Sequence, residues 1–256
     1  MDEIEQIIQR MRARAKTNTQ DTIGPSSTSS NSEYKCPICK DREWVDFVDE
    51  DGHECMKHCV CHAQREHERS IAFSGISEKF KTKTFSNFQE GANKELKANC
   101  MEYVKTKAYE KHESLIIMGQ VGSGKTHLAM AIVNNLLAKG VRCRYLEYRS
   151  FMALVKQSLT DRDTYQRELD IAKRAEVLYI DDFLKGKVTD ADLNIMFEII
   201  NTRYLADLPV IITTELTPDA IIKFDEGIGS RIMEMASNYI LISQGKNKRL
   251  EVFDNA

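Results

Sequence analysis

A chain of 256 residues, 42% hydrophobic and 29% charged, has room for one full-sized domain and a small appendage, with the composition of an ordinary globular protein. Its net charge of −3 excludes a global attraction to nucleic acid and leaves only local basic patches for that purpose. No apolar run approaches the ~20 residues that a membrane span requires. Met1-Asp2-Glu3 starts neither a basic leader nor an apolar signal core, which points to the cytoplasm.

Ile4, Ile7, Ile8 and Met11 fall at i, i+3, i+4 and i+7, predicting an amphipathic helix over residues 1–16. Acids at its start and Arg10, Arg12, Arg14 and Lys16 at its end suit the helix dipole. Alone, a helix of this length is marginal in water, so its apolar stripe needs a partner in this chain or in another protein. Residues 17–33, rich in Ser, Thr and Asn around Gly24-Pro25, read as a flexible linker.

Residues 34–69 carry Cys36-Pro37-Ile38-Cys39 and Cys59-Val60-Cys61, with Cys55 and His58 just before the second pair. Seven cysteines with this tight cluster favour metal ligation in a reducing compartment over disulfides. Two close-set pairs deliver four thiolates to one tetrahedral Zn²⁺. Cys36, Cys39, Cys59 and Cys61 are the preferred ligands; Cys55 or His58 can replace one of the second pair, because C-x-C is tighter than the usual C-x-x-C. Trp44 to Val48 and the turn Asp51-Gly52 predict a hairpin that returns the second pair to the first. Such a site is structural, and a module this small depends on its metal to fold.

Residues 70–256 alternate apolar strands with helices, predicting an α/β fold with a mostly parallel sheet between helices. Its centre is Gly119-Gln120-Val121-Gly122-Ser123-Gly124-Lys125-Thr126, a G-x-x-x-x-G-K-[ST] phosphate loop between the strand 115–118 and a helix from His127 to Lys139. Glycines let backbone N–H groups turn around a polyphosphate, and the following helix adds its positive end. Lys125 supplies charge to the β- and γ-phosphates and the Thr126 hydroxyl can join Mg²⁺. The nucleotide-binding set is therefore 119–127. Val141 to Tyr148 is the next strand candidate, with Ser150 as the cap of the helix that follows.

Val177-Leu178-Tyr179-Ile180-Asp181-Asp182 is an apolar strand ending in two acids, the Walker B pattern. Asp181 is suited to hold Mg²⁺ and Asp182 to orient or deprotonate the attacking water. Further strands are predicted at 210–214 and 239–242, so ligands belong at the carboxyl ends of the strands, where Thr213 and Thr214 emerge. In a ring or filament, an arginine placed like Arg231 reaches the neighbour's nucleotide. Arg142, Arg144 and Arg149 with Tyr145 and Tyr148 read either as a basic, aromatic surface for a single strand or as a solvated strand edge and helix start.

The cysteine pairs, Ser74-Gly75-Ile76, Phe85-Ser86-Asn87-Phe88, Gly124-Lys125-Thr126-His127-Leu128-Ala129, Ile180-Asp181-Asp182, Asn201-Thr202-Arg203-Tyr204 and Gly229-Ser230-Arg231-Ile232 together resemble replicative helicase loaders of the DnaC/DnaI type. These are bacterial or phage AAA+ ATPases related to the transposition helper IstB. The resemblance covers roughly residues 34–253. It implies ATP hydrolysis with Asp181 and Asp182 as Walker B acids, Arg231 as a trans-acting finger, and the sensor 1 residue on strand 210–214. Thr214 is taken for that role, although relatives often read Thr-Ser-Asn where this chain has Thr213-Thr214-Glu215. It also implies a hexameric replicative helicase and single-stranded DNA as partners, and ATP-dependent self-association. Only 25 residues follow Arg231, so the expected core lacks a helical lid. The rival is an IstB-like helper that targets DNA for a transposase. A metabolic phosphotransferase would need an acceptor pocket and a closing lid, and neither is visible.

Overall fold

The computed structural model describes residues 34–49, 51–245 and 247. The predicted helix 1–16 and the linker 17–33 lie outside the described residues. Packing divides the chain into two compact units, Met1–Cys59 and Val60–Ala256.

In the first unit, β1 (Trp44–Val48) and β2 (Glu54–His58) form the predicted antiparallel hairpin, with Trp44 opposite His58 and Phe47 opposite Cys55. The turn closes on Asp49, whose carboxylate accepts from the backbone N–H groups of Asp51 and His53 at 3.0 and 2.8 Å. Val48 and Met56 remain exposed, so this ribbon has little apolar burial of its own, and a lone two-stranded hairpin is marginal in water.

The second unit opens with α1 (Cys61–Ser74) and α2 (Glu78–Lys81). It then runs α3 (Lys94–Lys105), β3 (Leu115–Met118), α4 (Lys125–Ala138) and β4 (Cys143–Glu147). After α5 (Tyr148–Gln157) and α6 (Arg162–Arg174) come β5 (Val177–Asp181), α7 (Asp190–Leu205) and β6 (Val210–Thr214). Then α8 (Pro218–Phe224), α9 (Glu226–Met235) and β7 (Ile240–Ile242) follow. The strands make one five-stranded sheet in the order β4-β5-β6-β3-β7, parallel throughout.

Strands buried on both faces read as near-continuous apolar runs, as do β3, β5 up to its terminal Asp181, and most of β6. Alternate side chains sort to opposite layers. Leu115, Ile117, Val177, Tyr179 and Ile211 pack with α3 and α4. Ile116, Met118, Leu178, Ile180 and Ile212 pack with α5, α6, α7 and α9. Because β6 returns to lie beside β3, the strand order reverses there, and a crevice opens at the carboxyl ends.

Several predicted boundaries move for identifiable reasons. α4 starts at Lys125, two residues early, since the left-handed Gly124 serves as its cap. β4 is shorter than 141–148. The predicted Ser150 cap is replaced by Glu147, whose carboxylate accepts from the N–H groups of Arg149 and Ser150 at 3.2 and 2.8 Å. A charged acceptor at the strand end outcompetes a hydroxyl one turn later, and Ser150 becomes an ordinary first-turn residue. β7 loses Tyr239, whose N–H turns back to Ala236 O at 2.7 Å.

Arg203, in the middle of the unit, is completely buried. Its Nη1 donates to the carbonyls of Ala172, Lys173 and Ala175 (2.9, 3.2 and 2.8 Å) and its Nη2 to Pro209 O at 2.8 Å. One α7 side chain thus satisfies the open carbonyls at the end of α6 and ties them to the entry of β6.

Candidate functional site

The phosphate loop leaves β3 at Gly119, whose N–H donates to Thr214 O at 3.2 Å, registering the loop to β6. Its backbone demands glycine where the chain is both left-handed and crowded. Gly124 has φ +98°, and a Cβ there would meet the Phe88 ring at 2.8 Å, so any side chain is strained twice over. Lys125 is 5% exposed and folds back so that its Nζ donates to Gln120 O at 2.8 Å. Burial lowers its pKa, while Glu215 and Asp182 pull the other way.

Behind the loop stands Asn93, 1% exposed. Its amide donates to Ser123 O at 2.7 Å, and its Oδ1 accepts from Gln244 N at 3.0 Å and lies 3.2 Å from Ser243 Oγ. The Gln120 side chain donates to Gly245 O at 2.9 Å, and Ser243 N to Met118 O at 2.7 Å. The segment after β7 is therefore laced to the loop.

Asp181 sits at the end of β5 on the face turned toward α4, as the alternation Val177, Tyr179, Asp181 requires. It is 4% exposed. Thr126 Oγ1 donates to its Oδ1 at 2.9 Å and Tyr179 OH does so at 2.7 Å; Thr213 Oγ1 donates to the same oxygen. Beside this carboxylate, burial raises the pKa values of Tyr179 and Tyr145, so both remain neutral hydroxyls. Asp182 and Leu184 have φ +54° and +57°. Non-glycine residues in this region cost strain that functional loops store. Phe183 and Leu184 are buried anchors, and Phe183 N donates to Thr213 O at 2.8 Å.

These residues border a cavity of about 680 Å³, lined from the loop by Val121, Gly122, Gly124, Lys125, Thr126 and His127, and from the strand ends by Asp181 and Asp182. His127 Nε2 lies 3.0 Å from both Thr84 O and Asn87 Oδ1. Gly119, Gln120 and Ser123 support the loop without lining the cavity. Thr214 is not there either: its hydroxyl donates to Phe183 O at 2.9 Å. The neighbour that reaches the cavity is Glu215, paired with Lys185. Alternation turns Thr213 toward Asp181 and Thr214 to the other face, while Glu215 lies just past the end of β6.

Sequence reasoning missed Lys79, Phe80, Lys83, Tyr145, Glu147 and Lys185, all on the cavity wall. Asn134 on α4 draws the 80–83 segment in, its amide donating to the carbonyls of Phe80 and Lys83 at 3.0 and 2.8 Å. The proposed basic, aromatic surface does not form. Arg144 is committed to Phe73 O and Glu168, Tyr148 is buried against Phe183, and Tyr145 faces the cavity. Neighbours along a strand point to opposite faces, which scatters them.

Arg231 lies on α9, away from the cavity. Its Nε donates to Asn201 Oδ1 at 3.0 Å and its Nη1 to Gly227 O at 2.7 Å, with the Phe197 and Tyr204 rings 5.1 and 5.6 Å away.

Within the first unit Cys36, Cys39 and Cys59 bring their sulfurs within 4.8 Å of one another, and Cys61 follows two residues later in the sequence. Cys36 and Cys59 Sγ are 3.8 Å apart, the tetrahedral edge for a Zn–S length of about 2.3 Å, which works out near ~3.8 Å. Cys36 N donates to Asp41 Oδ1 at 2.8 Å and Cys59 N to Glu43 O at 2.8 Å, so backbone contacts hold both knuckles. The alternatives stand apart: Cys55 donates to Asp49 and the His58 ring lies against Trp44. The donor set fits zinc. Cys36→Ser/Cys39→Ser protein should lose its zinc and the near-ultraviolet signal of Trp44, while nucleotide affinity stays within about twofold. Full zinc retention by that variant would refute the ligand set.

Residues 80–236, more than half of the chain, match the family described as the bacterial DnaA ATPase domain. The phage-like element PBSX protein XkdC of Bacillus subtilis is 34% identical over 97% of both chains. Among solved structures, AMPPCP-bound DnaA of Aquifex aeolicus superposes with a TM-score of 0.52 at 25% identity. That alignment covers 71% of this chain and 55% of DnaA, so the likeness spans about half of the initiator. A DnaC helicase loader gives a TM-score of 0.54 at 19% identity, covering 66% of this chain and all of the loader. At that identity the likeness concerns the fold alone, a parallel sheet flanked by helices. Among the described residues, no helix is long and apolar enough to cross a membrane.

Proposed function

Because the chain belongs to the family of the bacterial DnaA ATPase domain, we propose that it is an ATP-controlled loader that grips a hexameric replicative helicase and delivers it to single-stranded DNA. One observation carries the nucleotide half of this reading. A buried lysine, a threonine hydroxyl 2.9 Å from a buried carboxylate, and a second carboxylate converge on one cavity at the phosphate loop. The loader half rests on the DnaC-like fold and on a separate cysteine unit suited to hold a partner.

In this reading the N–H groups of residues 119–127 wrap the phosphates, and Lys125 exchanges the Gln120 carbonyl for phosphate oxygens. Thr126 and Asp181, hard oxygen donors, would hold Mg²⁺, which when bound supplies positive charge beside the β- and γ-phosphates. Tyr179 and Thr213 donate to Asp181 and aim it. Asp182 orients or deprotonates the attacking water. Arg231, held outside its own cavity by Asn201 and Gly227, serves a neighbour's site, so hydrolysis depends on self-association.

The test is capture of a hexameric replicative helicase by the full chain, with and without ATP. Lys125→Ala should weaken ATP binding by about 100-fold and abolish any ATP dependence of capture. Unchanged ATP affinity in that variant would overturn the site, and no capture in either state would overturn the loader.

A further inference from the structure

Among the cavity residues, Lys185 has no part in the phosphate loop, the Walker B pair or the finger. It rises from the strained loop after β5, where the buried side chains of Phe183 and Leu184 fix the backbone and Lys185 N donates to Asp182 O at 3.1 Å. Its side chain is one-third exposed, and its Nζ lies 3.1 Å from Asp182 Oδ2 and 2.6 Å from Glu215 Oε1. One ammonium therefore bridges the two carboxylates on the strand-end wall, in the same cavity as Lys125.

This arrangement has two chemical consequences. Asp182 cannot act freely on a water while one of its oxygens serves Lys185. Two carboxylates facing a polyphosphate would also repel it unless a cation stands between them. A terminal phosphate brings a more highly charged acceptor into the cavity than either carboxylate, whereas a diphosphate ends one group short.

We propose that Lys185 is the residue by which this site distinguishes a nucleoside triphosphate from a diphosphate, leaving its bridge between Asp182 and Glu215 to contact the γ-phosphate. The inference rests on the nucleotide reading above. Leaving the bridge also releases Asp182, so the contact that recognises the triphosphate frees the acid that acts on it. Glu215 is then the resting partner of Lys185, which gives this departure from the Thr-Ser-Asn pattern a purpose.

The experiment measures the affinity of the full chain for AMPPCP and for ADP by calorimetry, in wild type, Lys185→Met, Glu215→Gln and the double variant. Lys185→Met should lower AMPPCP affinity by about tenfold or more, the scale of one charge-assisted hydrogen bond, and move ADP affinity by less than about threefold. Glu215→Gln, with the bridge weakened, should raise the AMPPCP-to-ADP preference. The double variant restores the charge balance but not the contact, so it should remain as poor in AMPPCP preference as Lys185→Met. An unchanged ratio in Lys185→Met, or a preference restored in the double variant, overturns the inference while leaving the site a nucleotide site. Wild type that binds neither nucleotide overturns the nucleotide reading and this inference with it.

Discussion

Arg231→Ala should cut ATP turnover of the assembled protein by on the order of 10³-fold, the scale on which an arginine finger stabilises transition-state charge. Nucleotide affinity of the isolated subunit should hardly change. The reason is placement: Arg231 lies outside its own cavity, with Nε and Nη1 tethered to Asn201 and Gly227 between two aromatic rings. Such fixation lowers the entropy lost when a guanidinium docks on a partner. Complementation decides the matter. An Arg231→Ala subunit keeps a competent phosphate loop, and a Lys125→Ala subunit keeps a competent finger. Each variant alone should be inactive, and the mixture should regain part of the turnover. Wild type that hydrolyses ATP as a strict monomer, with no recovery in any mixture, would end the trans assignment.

Arg203→Met should destabilise the second unit by about 3–5 kcal/mol, the range for removing one partner from a buried charged network. The substitution roughly conserves length and apolar packing. It removes the donors to four carbonyls and leaves those acceptors without them. Burial lowers the Arg203 pKa to about 9, so the guanidinium is charged at neutral pH and its four bonds are charge-assisted. Urea titration of the second unit's transition gives the measurement. A loss below about 1 kcal/mol would mean that the carbonyls find other partners.

Much of this was legible in the residues. The order of strands and helices from Leu115 onward follows from uninterrupted apolar runs, and the phosphate loop and the Asp181-Asp182 pair announce themselves because their spacing is local. The hairpin between the cysteine pairs was legible for the same reason. What stayed hidden depends on distance in sequence. Lys79 and Phe80 reach the cavity only because Asn134 captures nearby carbonyls across α4. The choice among Thr213, Thr214 and Glu215 is a question of face, which periodicity alone cannot settle when both faces of a strand are buried. Glu147 displaced Ser150 as a cap because a strand end one residue earlier than expected put a carboxylate in reach. Lys185 belongs to no local pattern, and only the fold brings Glu215 opposite it.

The lacing of Asn93, Ser123 and Ser243 couples two things usually considered apart. Among the described residues, β7 is a three-residue strand at the end of the sheet order, paired on one side only, with Ile240 and Ile242 partly in solvent. It is the kind of element that opens long before the rest of a domain. Yet Ser243 and Gln244, which follow it directly, bear on the buried asparagine that supports the loop's own carbonyl. Each fraying of that rim withdraws a brace from the loop. By thermodynamic reciprocity, a phosphate gripped by the loop must also keep the rim closed. On the nucleotide reading proposed above, the margin of the sheet is in effect a latch, its opening coupled to the escape of nucleotide.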